Sequence, residues 1–438
     1  MDSFNFKSSV LVEELCYSLY ELCDNIGERF TGTEGEKKAA HYIFKKLKDY
    51  YFPMIQIQEY PIKTWQPISS SLEVYQDNKH DYKSLNIMNT TNAEAEGKIL
   101  DLTRDLWLEE NNKINGKIVL IDNLTKPPFY SGLPLSIEQK ASDCRKRNCK
   151  GIIIKNAVNQ GRLLKWMSLN QKNFEGIPCC SISFEDGERL QRLLKYEKSI
   201  VVSLITKAII GNGFSQNIIG EVRGNSNKTI VIGAHYDTVI DSAGALDNGS
   251  GVAVLLEILR IISVMAGENG FQKNLLFVFF GSEELGLQGS KYYVKHLQNT
   301  EQKNIKLMIN LDEIGAGRMK GYTFNTSATL KNTINNLLVK AGSQYLVHHS
   351  YPFEINQTGD CFSFAEQGIE TMGLWRWRHE AESSFNRYRH MNFDEGESMA
   401  HHFRHTKADT LDKVDISSLR EYVWEISFLL SILLQNPF

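Results

Sequence analysis

The apolar positions of the chain change period several times, and each change marks an element. "EGEKKAAHYIFKKLKDY" returns to an apolar residue every three or four positions, which predicts an amphipathic helix, whereas "MIQIQEYPI" soon after alternates as a strand does. The proline and serine run in "TWQPISSSLEV" then predicts an exit from a first body into a second. From about residue 70 to 212 the pattern is one of short strands, "GKIVLID" and "KGIIIKN", with a basic helical stretch "QKASDCRKRNCK" between them and "GIPCCSISFEDGERLQRLLK" after them. Beyond "IIGNGFSQ" the strands lengthen and become more apolar: "KTIVIGA", "NLLFVFF" and "IKLMINL" are each followed by ten or more helical residues. Strands without a polar face belong to a sheet covered on both sides, so this part predicts a buried parallel sheet in an α/β fold. No fixed-period repeat or low-complexity tract is present, which excludes a solenoid and a disordered chain.

Composition sharpens this picture. At 438 residues, 42% of them hydrophobic, the chain is long enough for two globular bodies. A net charge of −3 with acids and bases intermingled offers no basic stripe for nucleic acid and no acidic arm. The opening, "MDSFNFKSSVLVEELCYSLYELCDN", carries acids among its apolar residues and lacks the profile of a signal peptide. The apolar tail "YVWEISFLLSILLQNPF" contains Glu425 and falls short of the roughly 20 residues that span a bilayer, so it predicts a closing core helix and no membrane partner. Seven cysteines, with Cys179 and Cys180 adjacent and Cys144 and Cys149 five apart, match neither a disulfide framework nor a zinc knuckle. The expectation is a cytoplasmic protein.

Candidate chemistry gathers at the carboxyl ends of the long strands, where open α/β sheets place their sites. "VIGAHYDTVIDSAGALDNGSG" supplies His235 and Asp237, two apart and therefore on one side of an extended segment, and then Asp247. Asp237 is placed to orient the ring of His235. "FFGSEELGLQGS" adds Glu283 and Glu284, "INLDEIG" adds Asp312, and "FRHTKADTLDKVD" adds His405. Singly, such residues are helix caps or satisfied surface groups. Three successive apolar strands that deliver carboxylates to one rim would repel one another unless cations neutralise them, so together they predict a metal site. Nitrogen and oxygen donors without thiolate suit Zn2+, with Co2+ or Mn2+ served by the same geometry, and two ions are expected because one carboxylate can bridge. H-E-x-x-H, G-x-S-x-G and phosphate-loop signatures are absent.

The order "AHYD", "LDNGSG", "GSEELGLQGS", "NLDEIG", "HTKADTLDKV" resembles the co-catalytic zinc aminopeptidases of metallopeptidase family twenty-eight. The resemblance covers about residues 10 to 65 and 215 to 435 and includes "RFTGTEGEKKAAHYI"; residues 70 to 212 are similar to the protease-associated domain inserted in such enzymes. It implies a mixed, mainly parallel sheet flanked by helices, built from segments 1–69 and 213–438, with a smaller inserted α/β domain over 70–212 as a lid or specificity element. It further implies that His235 and Asp312 hold one zinc ion and Glu284 and His405 the other, with Asp247 bridging. Glu283 matches the general base, Asp237 the histidine-orienting aspartate, and the bond from Asp247 to Asn248 a cis peptide. The implied substrate is a peptide, cleaved at its terminal bond, most of all at the amino end.

The chain also departs from the family. "TGDCFSFAEQGIET" keeps Asp360 but has Cys361 where many relatives have histidine, and Arg404 precedes His405 where some have tyrosine. Segment 375–404 carries five arginines, and Arg376, Arg378 and Arg404 are candidates for reading a substrate carboxylate, as a carboxypeptidase or dipeptidase would require. Glu380, Glu382, Asp394, Glu395 and Glu397 balance those arginines as they would in a solvated loop. His401 and His402 lie close to His405, but "HTKADT" carries the ligand motif. The same fold also serves glutaminyl cyclases and inactive receptor-like binding proteins; the latter are expected to have lost ligands that are filled here.

Overall fold

The computed structural model describes residues 5–52, 54–76, 78–103, 113–122, 137–156, 163, 176–197, 200–316, 319–342, 346–349, 359–377 and 403–435. In chain order the strands are β1 (Met54–Tyr75), β2 (Lys79–Tyr82), β3 (Ser84–Asn86), β4 (Ala93–Asp101), β5 (Ile118–Asp122), β6 (Gly151–Lys155) and β7 (Cys179–Ile182). They continue as β8 (Val201–Val222), β9 (Thr229–His235), β10 (Asn274–Phe280), β11 (Ile305–Leu311), β12 (Met319–Asn325), β13 (Leu346–His349) and β14 (Thr371–Trp377). The described residues fall into two compact units, one from Met1–Ile62 and the chain from Phe214 onward, the other from Lys63–Gly213.

In the larger unit the strand order is β13-β12-β14-β11-β9-β10-β8, parallel along β14-β11-β9-β10 and antiparallel at β10 with β8 and at β12 with β14. This is the mixed, mainly parallel sheet that the pattern implies, and its pleat divides the side chains between two cores. Ile230, Ile232, Ala234, Phe277, Phe279, Leu307, Ile309 and Leu311 pack on one face, against the helices Val12–Tyr20, Glu34–Asp49, Ser250–Asn269 and Ile416–Gln435. The intervening Val231, Val278, Phe280 and Met308 pack on the other, with Tyr293, Val294 and Phe364. Burial of both faces is why these strands read as apolar runs. The stretch Ala245–Ala266 is long and apolar enough to cross a membrane, yet 78% of its apolar window is buried inside the fold, as befits a core helix. The tail predicted as a closing helix is the buried Ile416–Gln435.

The smaller unit has a parallel run β4-β5-β6-β7, with β3 antiparallel to β7 and β4 antiparallel to the first part of β8. Cys144, Cys149 and Cys179 sit in its core, Cys180 packs on the opposite side of the strands, and all seven cysteines of the chain are free thiols. Pro67 and Ser69 to Ser71, read from sequence as the exit into a second body, lie within β1 just after the units part at Ile62 and Lys63: the chain enters the smaller unit as a strand, anchored by the buried Trp65, whose indole donates to the carbonyl of Thr90 at 2.8 Å.

Candidate metal centre

The three parallel neighbours β11, β9 and β10 end at Leu311, His235 and Phe280, so the loops that leave them emerge on one edge of the sheet. Asp312 comes directly after β11, and Glu283 and Glu284 come after β10 beyond Gly281 and Ser282. Gly281 is required by close approach: a Cβ there would lie 2.6 Å from Ser215 Oγ and 2.9 Å from Glu36 Oε1. Asp247 comes from the loop ahead of helix Ser250–Asn269, which Gly244 enters with φ of 57°, and the peptide bond from Asp247 to Asn248 is cis. His405 stands ahead of the closing helix, also at positive φ.

These five side chains converge as two donor triads that share Asp247: His235, Asp247 and Asp312 form one, and Asp247, Glu284 and His405 the other, with the donor atoms of each within 4.8 Å of one another. Asp247 divides its carboxylate between them. Its Oδ1 is 3.1 Å from His235 Nε2, which is 3.2 Å from Asp312 Oδ1. Its Oδ2 is 3.1 Å from His405 Nε2, which is 3.2 Å from Glu284 Oε2. His235 Nδ1 faces the backbone oxygen of Asp237 at 3.2 Å, which assigns the ring proton to Nδ1 and turns Nε2 toward the carboxylates. The carboxylate of Asp237 accepts the backbone N–H groups of Glu283 and Glu284 at 3.0 and 3.1 Å and the Thr31 hydroxyl at 3.0 Å. One buried aspartate therefore fixes a ligand ring and the loop bearing both glutamates.

Donors this close need positive charge between them. Burial raises the carboxyl of Glu283 well above its ordinary range; His235 opposes that, while Glu284, Asp312 and Asp360 add to it. Glu284 is raised first by burial, and Asp360 is pushed up to about 7, again first by burial. Burial acts to lower His235, but Glu283 and Asp312 lead the groups that hold it well above its ordinary value. Burial alone would also raise Asp247, yet His235, His405 and Arg404 together keep it well below. Although both oxygens of Glu284 are buried, neither receives a hydrogen bond. Such an electron-rich, under-satisfied cluster of carboxylates and imidazoles fits divalent cations, and the donor types fit zinc.

Further residues hold the cluster in place that the sequence did not single out. Asp409 accepts the N–H groups of Leu246 and Asp247 at 2.7 and 3.1 Å, fixing the backbone of the shared aspartate. The fully buried Arg29 donates to the carbonyls of Leu22, Gly27, Tyr236, Ala243 and Gly244 at 2.6 to 3.0 Å, so it joins both ends of the loop that runs from His235 to Asp247. Arg29→Met would strand those acceptors in the interior, and we expect at least about 3 kcal/mol of lost stability. Urea unfolding of the two proteins checks this; an unchanged midpoint would mean that water replaces the guanidinium.

Of the candidate arginines, Arg404 joins the site: its Nε donates to Asp247 Oδ2 at 3.1 Å and lies 2.7 Å from Glu313 Oε1. Arg376 belongs to β14 opposite Lys320, but its side chain is not among the described groups, and Arg378, His401 and His402 lie outside the described residues.

The model of Peptidase family M28 matches residues 217–429. Aminopeptidase YwaD of Bacillus subtilis (strain 168) is 30% identical over 310 residues, which are 68% of this chain and 61% of that protein. An aminopeptidase of Pseudomonas aeruginosa (strain UCBPP-PA14) is 26% identical over 313 residues, 69% of this chain and 56% of that one. The chain thus spans about three fifths of the length of these curated relatives. Among solved structures, a Peptidase M28 precursor from Shewanella amazonensis SB2B shares the fold with a TM-score of 0.74 at 20% identity, over 100% of this chain and 98% of that one. BSAP, a zinc aminopeptidase from Bacillus subtilis, does so with a TM-score of 0.72 at 24% identity, over 98% and 96%.

Proposed function

Because the chain belongs to Peptidase family M28, we propose that it is a two-zinc exopeptidase that removes residues from the amino end of peptides. The observation that carries this reading is the division of the Asp247 carboxylate between two triads, Oδ1 toward His235 and Oδ2 toward His405. His235 and Asp312 would hold one cation, Glu284 and His405 the other, and Asp247 would bridge. When bound, the cations acidify water and polarise the scissile carbonyl. Glu283, in neither triad but on the same rim, takes the proton of the attacking water and passes it to the departing amine. Asp237 keeps His235 in its ligating tautomer and holds Glu283 at a fixed place beside it.

The carboxypeptidase alternative needs a free cationic fork, and Arg404, the one candidate arginine whose side chain is described, has its Nε turned to Asp247 and Glu313. The smaller unit lies outside the residues that the family model matches, and its reading as a protease-associated specificity element is part of this proposal.

Zinc-loaded protein given matched peptides, with free or acetylated amino ends and free or amidated carboxyl ends, tests the reading by mass spectrometry. Stepwise loss from the free amino end, abolished by acetylation, is the expected result. Loss that depends on a free carboxyl end would replace it with a carboxypeptidase, and ring closure of an amino-terminal glutamine without hydrolysis would replace it with a cyclase.

A further inference from the structure

We propose that Arg404 competes with the cation of the Asp247, Glu284 and His405 triad, making this the weaker and more exchangeable of the two half-sites. The inference rests on the two-cation reading above.

Arg404 is one-sided. Its Nε is 3.1 Å from Asp247 Oδ2 and 3.2 Å from His405 Nε2, two of the three donor atoms of that half-site. Among the described residues its remaining ion pair is with Glu313 at 2.7 Å. Its hydrogen bonds and ion pairs reach none of His235 Nε2, Asp247 Oδ1 and Asp312 Oδ1, the donors of the other half-site. An imidazole nitrogen has a single lone pair, so a His405 that ligates a cation gives up its contact with Arg404. The guanidinium stays charged throughout and remains beside the site on Glu313, so an arriving dication also meets a like charge close by. Arg404 thus fills, with a covalently attached cation, part of the place a mobile cation needs. Among the described residues no cationic side chain is bonded to the donors of the other half-site, which is expected to fill first.

Metal-free protein dialysed against buffered free zinc over several decades of concentration, with bound zinc counted by elemental mass spectrometry, separates the half-sites without recourse to activity. The parent is expected to fill in two steps, and His405→Ala to lose only the weaker one. In Arg404→Met the weaker step is expected to tighten by roughly tenfold or more, with the stronger step changed by less than about threefold. Arg404→Gln serves the same purpose should the methionine variant fail to show a native near-ultraviolet circular dichroism spectrum. A weaker step that stays where it is, or moves to higher zinc, in the folded variant overturns the role of Arg404. A His405→Ala chain that still fills in two steps overturns the two-cation assignment itself, and this proposal with it.

Discussion

Glu283→Gln is expected to lower kcat by about 10²- to 10⁴-fold while leaving bound zinc unchanged. The two halves of that expectation have separate grounds. Glutamine keeps the size of the side chain but accepts no proton at neutral pH, so the step in which water loses its proton and the amine gains one is left without its carrier. The metal should stay because Glu283 belongs to neither triad, and because its place in the loop is fixed by its backbone N–H on Asp237, which the substitution leaves intact. Turnover with an amino-acid anilide that keeps its amino group free and releases a chromogenic amine, measured alongside zinc content, decides the matter. A kcat within tenfold of the parent at full zinc would remove Glu283 from the chemistry, and a fall accompanied by lost zinc would make it structural.

Asp247→Ala is expected to be more damaging still, and differently so. Every other candidate donor belongs to one triad; Asp247 belongs to both, one oxygen turned to each. Residues that merely orient a ligand cost 10- to 100-fold in metal affinity when removed, so losing the shared ligand should weaken both half-sites by more than about 100-fold. The variant should therefore bind less zinc than His405→Ala and show no measurable turnover. Zinc raises the melting temperature of any protein that binds it only when folded. Added zinc should accordingly raise that of the parent and leave that of Asp247→Ala unmoved. A variant still carrying one tightly bound ion per chain would show that Asp247 serves a single half-site.

The parts of this site that were legible in the sequence share a physical reason. β9, β10 and β11 are buried on both faces, so their apolar runs stand out and end abruptly, and whatever polar residue comes next is delivered to the carboxyl edge of the sheet. His235, Asp312 and the pair Glu283 and Glu284 could be found that way, and Asp247 and His405 by the resemblance of the motifs around them to those of the family. The groups that hold the ligands were not legible. Arg29 carries no pattern to say that it is buried, because arginine is normally a surface residue, and its partners are backbone carbonyls, which every residue possesses. Asp409 lies inside the quoted "HTKADT", yet its role depends on the backbone of a loop far away in sequence.

The division of the chain was legible only coarsely for a related reason. Pro67 and the serines beside it are turn formers by composition, but they lie in a strand whose ends are anchored in different units. The two units part at Ile62 and Lys63, inside β1, and again at Gly213 and Phe214, inside β8. Local composition cannot mark a boundary that falls within a strand.

The pairing of β1 with β8 also has a consequence for how the protein is made. On the ribosome β1 and its hairpin partner β2 emerge soon after the first helices, but β8, the other partner of β1, is complete only after the Lys63–Gly213 unit has been translated, on the order of ten seconds later. Until then β1 is an open strand edge, the kind of surface that recruits other chains. Folding of the smaller unit in the meantime draws the two ends of that delay together and shortens the loop that must close. The last candidate donor, His405, emerges well after the others, so on the two-cation reading the triad of Asp247, Glu284 and His405 is complete only once the segment ahead of the closing helix has been made.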